Sequence, residues 1–275
     1  MGTAVGQMLV DAGHRIVGVA SRTDASAERA SARWRAPVFA AETGLPPSDF
    51  VLVATSDDAI EAVATRSARH VVPGTVVCHF AGSLGTAPLH AVEAAGGRAC
   101  ALHPVASCPD AEAALRRLPG CAWGVTCAPE LRAWAQELVG RDLRGHPVLV
   151  DEEDRAVWHV ASVVTANGAA ALMSAGEQLL ARIGVAEPAS VLAPLCAGVV
   201  ANARQAGSAG AALTGPVVRR EPHTLVRHVR ALRERAPDLV ETYVLATRTI
   251  VVAAQQAGRI DAAAGRAMER ALEGT

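Results

Sequence analysis

Three stretches of the chain carry side chains able to move protons or hold a polar substrate. His103 precedes Pro104 at the end of the apolar run Arg98–Leu102 (RACAL). A histidine with its ordinary near-neutral pKa suits general acid–base work; a structural histidine stabilising the turn is the plain alternative. His79-Phe80-Ala81-Gly82-Ser83-Leu84-Gly85 closes another apolar run. There Gly82 and Gly85 allow a close approach of backbone to ligand, and Ser83 can donate a hydrogen bond to a substrate or simply cap a helix. His159, Ser162, Thr165, Ala166 and Asn167 follow one another on a predicted helix. At about 100° per residue, His159, Ser162 and Ala166 share one face, with Asn167 about 80° round from His159. All 26 basic residues are arginines. That excludes a phosphate-binding lysine, a Schiff base and a lysine acid, and leaves His, Tyr, Cys or a carboxylic acid as proton donor.

These groups need elements to hold them. Strands are expected at Arg15–Ala20 (RIVGVA), Phe50–Thr55, Thr75–His79, Arg98–Leu102, Ala122–Thr126 and Pro147–Val150. Helical patterns separate them at Thr3–Ala12, Ala25–Arg33, Asp57–Arg69, Ala87–Ala95 and Pro129–Val139. Strands alternating with helices of this length imply βαβ units and a mostly parallel sheet. From Asp151 onward the pattern is helical only: roughly Glu152–Ile183, Ala189–Gln205, Thr224–Arg235, Asp238–Ala257 and Ala262–Leu272, with Ala206–Ala212 as a loop. The expected architecture is a Rossmann-like α/β domain, residues 1–149, followed by an all-helical domain, residues 150–275.

The opening Met1-Gly2-Thr3-Ala4-Val5-Gly6 reads as the last glycine of a G-x-G-x-x-G loop and the helix after it, with Asp11-Ala12-Gly13-His14 as the exit toward the next strand. The strand and earlier glycines of that motif do not precede Met1, so the expectation is a chain recorded from inside the domain, short of its first strand. Gly2 and Thr3 would then lie at a dinucleotide. The strand Arg15–Ala20 leads into Ser21-Arg22-Thr23, with no acidic residue in the place that would hold a ribose 2′-hydroxyl. A guanidinium between two hydroxyls suits a 2′-phosphate instead, which points to NADP over NAD. Thr55, Ser56 and Asp57 end the next strand and would pass under the nicotinamide ribose; Ser56 or Asp57 as a helix cap explains them equally. Gly82 joins this cofactor-binding set.

Composition narrows the alternatives. With a formal net charge of -1 the chain lacks the basic excess of a nucleic-acid-binding surface. No unbroken apolar run reaches the roughly 20 residues of a membrane span, and no signal segment opens the chain, so a cytoplasmic protein is the expectation. The cysteines Cys78, Cys100, Cys108, Cys121, Cys127 and Cys196 include no C-x-x-C pair; reduced, mostly buried thiols and no metal site are expected.

The separated motifs SRTDAS from Ser21, ATSDDAI from Ala54, HFAGSLG from His79, ALHPVAS from Ala101, EDRAVWHVASVVTAN from Glu153 and ALTGPVVRRE from Ala212 together resemble one family. It consists of bacterial two-domain proteins joining a Rossmann-like NADP-binding domain to a helical domain of unknown function. That family is similar to ketopantoate reductases, pyrroline-carboxylate reductases and deazaflavin-dependent NADP reductases. The resemblance implies an NADPH-dependent reductase of a small 2-oxo acid, ketone or imine, with the substrate between the domains and a homodimer through the helical domain. Likeness to prephenate dehydrogenases, whose strand-terminal His-Pro pair touches the reacting oxygen, makes His103 the implied proton donor. Asn167, His159 and Ser83 would orient the substrate. In ketopantoate reductases a lysine stands four residues before the asparagine matched by Asn167; here that place is Val163, so His159 or His103 must replace it. Arg219 or Arg220, after Thr214-Gly215-Pro216, can reach a substrate carboxylate or remain solvated. The other functions weighed are a prephenate-like dehydrogenase and a non-catalytic NADP-binding sensor or scaffold.

Overall fold

The computed structural model describes residues 1–40 and 46–273. The chain divides into two compact units, Met1–Ala166 and Asn167–Thr275.

In chain order the first unit holds α1 (Gly2–Asp11), α2 (Asp24–Trp34), β1 (Phe50–Val53), α3 (Ile60–Ser67), β2 (Val76–His79), α4 (His90–Ala94), β3 (Arg98–Pro104), α5 (Ala111–Arg117), β4 (Ala122–Cys127), α6 (Arg132–Glu137), β5 (His146–Leu149) and α7 (Arg155–Ser162). The five strands form one sheet in sequence order. Successive side chains of a strand point to opposite faces, and both faces of this sheet are covered. Cys78, Cys100, Leu102, Trp123 and Val125 pack with α1 (Val5, Met8, Leu9), α5 and α6 on one side. Val53, Val77 and Ala99 pack with Ile60 and Ala64 of α3, Leu89 and Val92 on the other. A sheet buried on both faces explains the apolar runs that mark its strands.

Three of the four strand pairs are parallel, and β3–β4 is antiparallel, with Pro104 opposite Trp123 and His103 opposite Gly124. The chain between them, carrying α5, leaves and re-enters the sheet at one edge, so β4 runs back along β3. α5 itself is absent from the sequence reading; Asp110 caps it by accepting a hydrogen bond from the Ala113 N–H at 2.7 Å.

One expected strand does not form. Arg15–Ala20 makes only an isolated parallel bridge, Val19 to Val38, apart from the five-stranded sheet. A β-prone run becomes a strand only when a neighbour completes its ladder, and β1 pairs with β2 alone among the described residues. The stretch expected as one helix, Glu152–Ile183, is helical to Arg182, but not uniformly α. A π turn, Val163–Asn167, separates α7 from α8 (Gly168–Arg182). The extra residue of such a turn shifts the helical phase, so the shared face drawn for His159, Ser162 and Ala166 holds only as far as Ser162. The last strand closes at Leu149, while the first compact unit runs on to Ala166.

The second unit contains α8, α9 (Pro188–Ala206), α10 (Pro222–Arg235), α11 (Val240–Gln256) and α12 (Ala262–Glu273). Its core joins Leu225 and Val229 of α10 to Val251 and Ala254 of α11 and Met268 and Leu272 of α12. By contrast, α8 and α9 bury no residue fully. The helical stretch Glu152–Arg182 reaches a mean hydropathy of 1.3 with none of that window buried. By length and composition it therefore meets the requirement for a membrane span that the search for unbroken apolar runs denied it.

Candidate active site at the carboxyl edge of the sheet

β2 and β3 end side by side, bringing His79 and His103 to the same edge. α7 supplies the other half of the site through Arg155, Trp158 and His159. Residues spaced i, i+3 and i+4 lie on one helical face, and all three turn toward the sheet.

Arg155 is 1% exposed. Its Nε donates to the Leu84 carbonyl at 3.0 Å, one Nη to the Ala81 carbonyl at 2.6 Å and the other to the Gly124 carbonyl at 3.2 Å. The guanidinium thus pins both ends of the 81–84 loop to β4. His79, fully buried, holds the same loop from inside. Its Nδ1 accepts from the Ala81 N–H at 3.1 Å, so its proton sits on Nε2, which donates to the Gly85 carbonyl at 2.7 Å. Burial, with Arg155 beside it, lowers the His79 pKa against the opposing pull of the Gly85 carbonyl. Glu152 closes the loop's far end by accepting from the Thr86 N–H at 2.8 Å and the Ala87 N–H at 3.3 Å.

Gly82 lies at the centre. A Cβ there would stand 2.4 Å from His159 Cδ2 and 2.9 Å from His103 Nε2, so only glycine admits both imidazoles. Gly82 was expected to give a cofactor room; it is buried, and it gives room to two histidines. The His103 and His159 rings meet edge to face, 5.4 Å between centroids at 86°. His103 Nδ1 lies 3.0 Å from Trp158 Nε1, whose indole covers Gly124. Desolvation first, then Arg155 and His159, push the His103 pKa down to about 4. The near-neutral acid expected at this position is therefore a neutral imidazole at physiological pH. The cause is a buried site beside the Arg155 guanidinium.

This has a thermodynamic consequence. The unfolded chain binds a proton at His103 near pH 6.5, whereas the folded one resists protonation down to about 4. Folding stability should fall as pH drops through that window, by on the order of 2 kcal/mol for this group. Denaturant unfolding of wild type and His103→Gln at pH 7 and pH 4.5 measures it; equal pH dependence in both proteins refutes the assignment.

Ser83 is half-buried, and neither it nor Asn167 makes a side-chain hydrogen bond among the described residues. Asn167 is exposed at the end of the π turn. Arg219 is held by Glu221 at 2.8 and 3.1 Å, and Arg220 lies 3.8 Å from Asp261, so both candidate carboxylate binders have acidic partners. Among the cysteines only Cys78 and Cys100 are fully buried; the other four are part-buried. Arg155 and Trp158 were given no role from sequence, although they lie in the EDRAVWHVASVVTAN stretch; their i, i+3, i+4 spacing with His159 was the available signal.

Of the residues read as a dinucleotide site, Gly82 touches His103 and His159, and Asp57 acts on His79. Gly2 packs so closely on the end of β1 that a Cβ would meet Ala54 Cβ at 2.6 Å. The first-turn N–H groups of Gly2 and Thr3 lack acceptors among the described residues. Ser21, Arg22, Thr23, Thr55, Ser56 and Asp57 are all exposed, and Arg22 makes no ion pair among the described residues. Ser56 occupies an N-cap position without a side-chain capping bond, so the capping explanation of that residue fails. A helix N-terminus with free N–H groups and an exposed arginine between two hydroxyl side chains are donor types that fit a phosphorylated dinucleotide.

Comparison with known proteins agrees with this architecture. Residues 1–104 match the Rossmann-like domain family, and residues 121–250 match a domain of unknown function, DUF2520. No protein of curated function matches by sequence. Among solved structures, the chain is similar to a Bacteroides fragilis protein described as an NADP oxidoreductase (21% identity, 90% of this chain and 93% of that one, TM-score 0.73). It is also similar to a Thermotoga maritima protein (20% identity, 93% and 97%, TM-score 0.72). A third likeness is to a reductive aminase of Aspergillus terreus in complex with NADPH and ethyl-5-oxohexanoate (15% identity, 99% and 89%, TM-score 0.58). Likenesses at these identities establish the fold: a Rossmann-like α/β domain followed by a helical one.

Proposed function

We propose that the chain is an NADP(H)-dependent oxidoreductase that reduces a small carbonyl or imine compound, as the resemblance to ketopantoate and pyrroline-carboxylate reductases implies. The observation that carries the reading is the convergence of His103 and His159 on Gly82 at the carboxyl edge of a Rossmann-like sheet, where ligands of such sheets bind. The structural likenesses to an NADP oxidoreductase and to an NADPH-bound reductase support it.

When bound, the reduced nicotinamide supplies a hydride. The residues of this chain do the rest. His103 presents its Nε2–H beside Gly82, and the His159 ring stands edge to face against it. Arg155 and His79 fix the 81–85 loop so that the imidazoles keep their places. Ser21, Arg22 and Thr23 would hold the 2′-phosphate, and Gly2, Thr3, Thr55, Ser56 and Asp57 the remainder of the dinucleotide.

A panel of 2-oxo acids, ketones and cyclic imines, with loss of NADPH absorbance as readout, tests the function. No oxidation above the substrate-free rate with any member would sink it. Run in parallel with NADH, the same assay tests the cofactor. Arg22→Glu should weaken NADPH use by about tenfold or more while sparing NADH; equal losses with both refute the role of Arg22.

The helical unit exposes an apolar stripe on α9, with Val191 at 56%, Leu195 at 64% and Val199 at 59% exposure. A patch of this kind needs cover. A second copy of the chain is the proposed occupant, and sedimentation of wild type against Leu195→Glu checks it: dimer for the first, monomer for the second.

A further inference from the structure

An indole Nε1–H only donates hydrogen bonds. At 3.0 Å from Trp158 Nε1, the Nδ1 of His103 must therefore be the acceptor. The single proton of the neutral ring is left on Nε2, the nitrogen facing Gly82. Protonating His103 would set N–H against N–H and break this contact. The lock is geometric and independent of any substrate.

The charged groups that act on His103 carry one sign. Arg155 is buried, and all three of its hydrogen bonds end on neutral backbone carbonyls. The charged and titratable groups facing His103 are Arg155 and His159 of α7. On the β2 side, His79 gives its only N–H to Gly85. From β4 the neighbour is Gly124, which carries no charge. The acidic group nearest the loop, Glu152, is already bound by Thr86 and Ala87. His103 Nε2–H and the His159 ring thus meet at Gly82, with the buried Arg155 guanidinium behind the loop that carries it.

We infer that this site takes substrates whose reacting heteroatom starts neutral and becomes negative, a ketone or 2-oxo acid carbonyl, and turns away iminium ions. His103 acts as a fixed uncharged hydrogen-bond donor, and Trp158 is the positioning residue that holds its tautomer. The inference rests on the oxidoreductase reading and narrows it. The carbonyl carbon gains a hydride from a reduced nicotinamide, which ends oxidised, and the C=O π pair moves onto oxygen. The resulting alkoxide accepts the hydrogen bond from His103 Nε2–H, then takes a proton from water, which leaves as hydroxide, to give the alcohol. His103 cannot itself lose that proton, because it would become an imidazolate. An iminium would place a second cation near Arg155 and an N–H, or a fully substituted nitrogen, opposite the His103 N–H, with no acceptor to receive it.

Two arms test this. In the full chain labelled with 15N-histidine, the His103 resonances, identified by their loss in His103→Gln, should report the Nε2–H tautomer from pH 5.5 to 8. An Nδ1–H tautomer or an imidazolium in that range overturns the lock. In Trp158→Phe the tautomers should mix and the His103 titration rise by at least about one pH unit; an unchanged spectrum overturns the role of Trp158. In the second arm, NADPH oxidation with pyruvate and cyclohexanone is compared with 1-pyrroline and 3,4-dihydroisoquinoline. A kcat/KM at least about tenfold higher for the better carbonyl supports the class. Faster reduction of an imine overturns the class and leaves the oxidoreductase reading standing. No oxidation with any of the four overturns the class together with that reading, while the tautomer is judged by the spectra alone.

Discussion

Arg155→Met should destabilise the protein by on the order of 3 kcal/mol and abolish most turnover. The side chain is 1% exposed and satisfies carbonyls of Ala81, Leu84 and Gly124. Methionine fills much of the volume but leaves three acceptors without donors in a buried place. Their desolvation is then uncompensated, and the 81–84 loop loses its tie to β4. The penalty is offset in part because burying a cation is itself costly, and desolvation is the largest cause acting on Arg155. Arg155→Lys retains the charge but not the planar fork that reaches three carbonyls at once, so it should recover part of the stability and less of the activity. Equilibrium unfolding in denaturant measures the first effect, and NADPH oxidation the second. The substitution also predicts a direction elsewhere: without the guanidinium, the His103 titration moves up toward an ordinary histidine, since Arg155 is among the causes of its depression. Wild-type stability in Arg155→Met, or a His103 titration that stays put, would remove Arg155 from the site.

The reason Arg155 was not legible in the sequence is distance along the chain. Its acceptors lie 74, 71 and 31 residues away, and Trp158 reaches His103 across 55. Periodicity assigns residues to a helix face, but it does not say what that face meets. The strands β1, β2 and β4 were readable because a sheet covered on both faces needs continuous apolar runs, and FVLV, VVCH and AWGVT supply them. RIVGVA is also β-prone but makes only the bridge of Val19 to Val38 among the described residues. α5 was missed because its seven residues are too few to show a period, although Asp110 was there as its cap. The π turn at Val163–Asn167 has no compositional mark, so the helical wheel ran through it. For the candidate site, His103, His159, Gly82 and Ser83 were legible as residue types at predicted strand ends and on a helix face. Protonation was not. The ordinary pKa of histidine gave a proton donor at His103, and burial beside Arg155 reverses that role.

His103→Ala should lower kcat/KM for a carbonyl substrate by about 10²–10³ with little change in stability at pH 7, the loss expected for a single donor to a developing oxyanion. His103→Gln keeps an N–H donor of similar reach and should recover part of it. The pH dependence separates a donor from an acid. An acid with a pKa of about 4 would be almost wholly unprotonated at neutrality, and the rate would climb as pH fell toward 4. A neutral donor is already in its working form at pH 7. Its contribution stays level down to about pH 5 and then falls, because protonation at Nδ1 breaks the contact with Trp158. Any limb seen between pH 6 and 8 must therefore belong to another group. The profile of kcat/KM for wild type, His103→Gln and His159→Gln assigns the limbs. A rate that rises through pH 5 in the wild type and flattens in His103→Gln would return His103 to the role of acid.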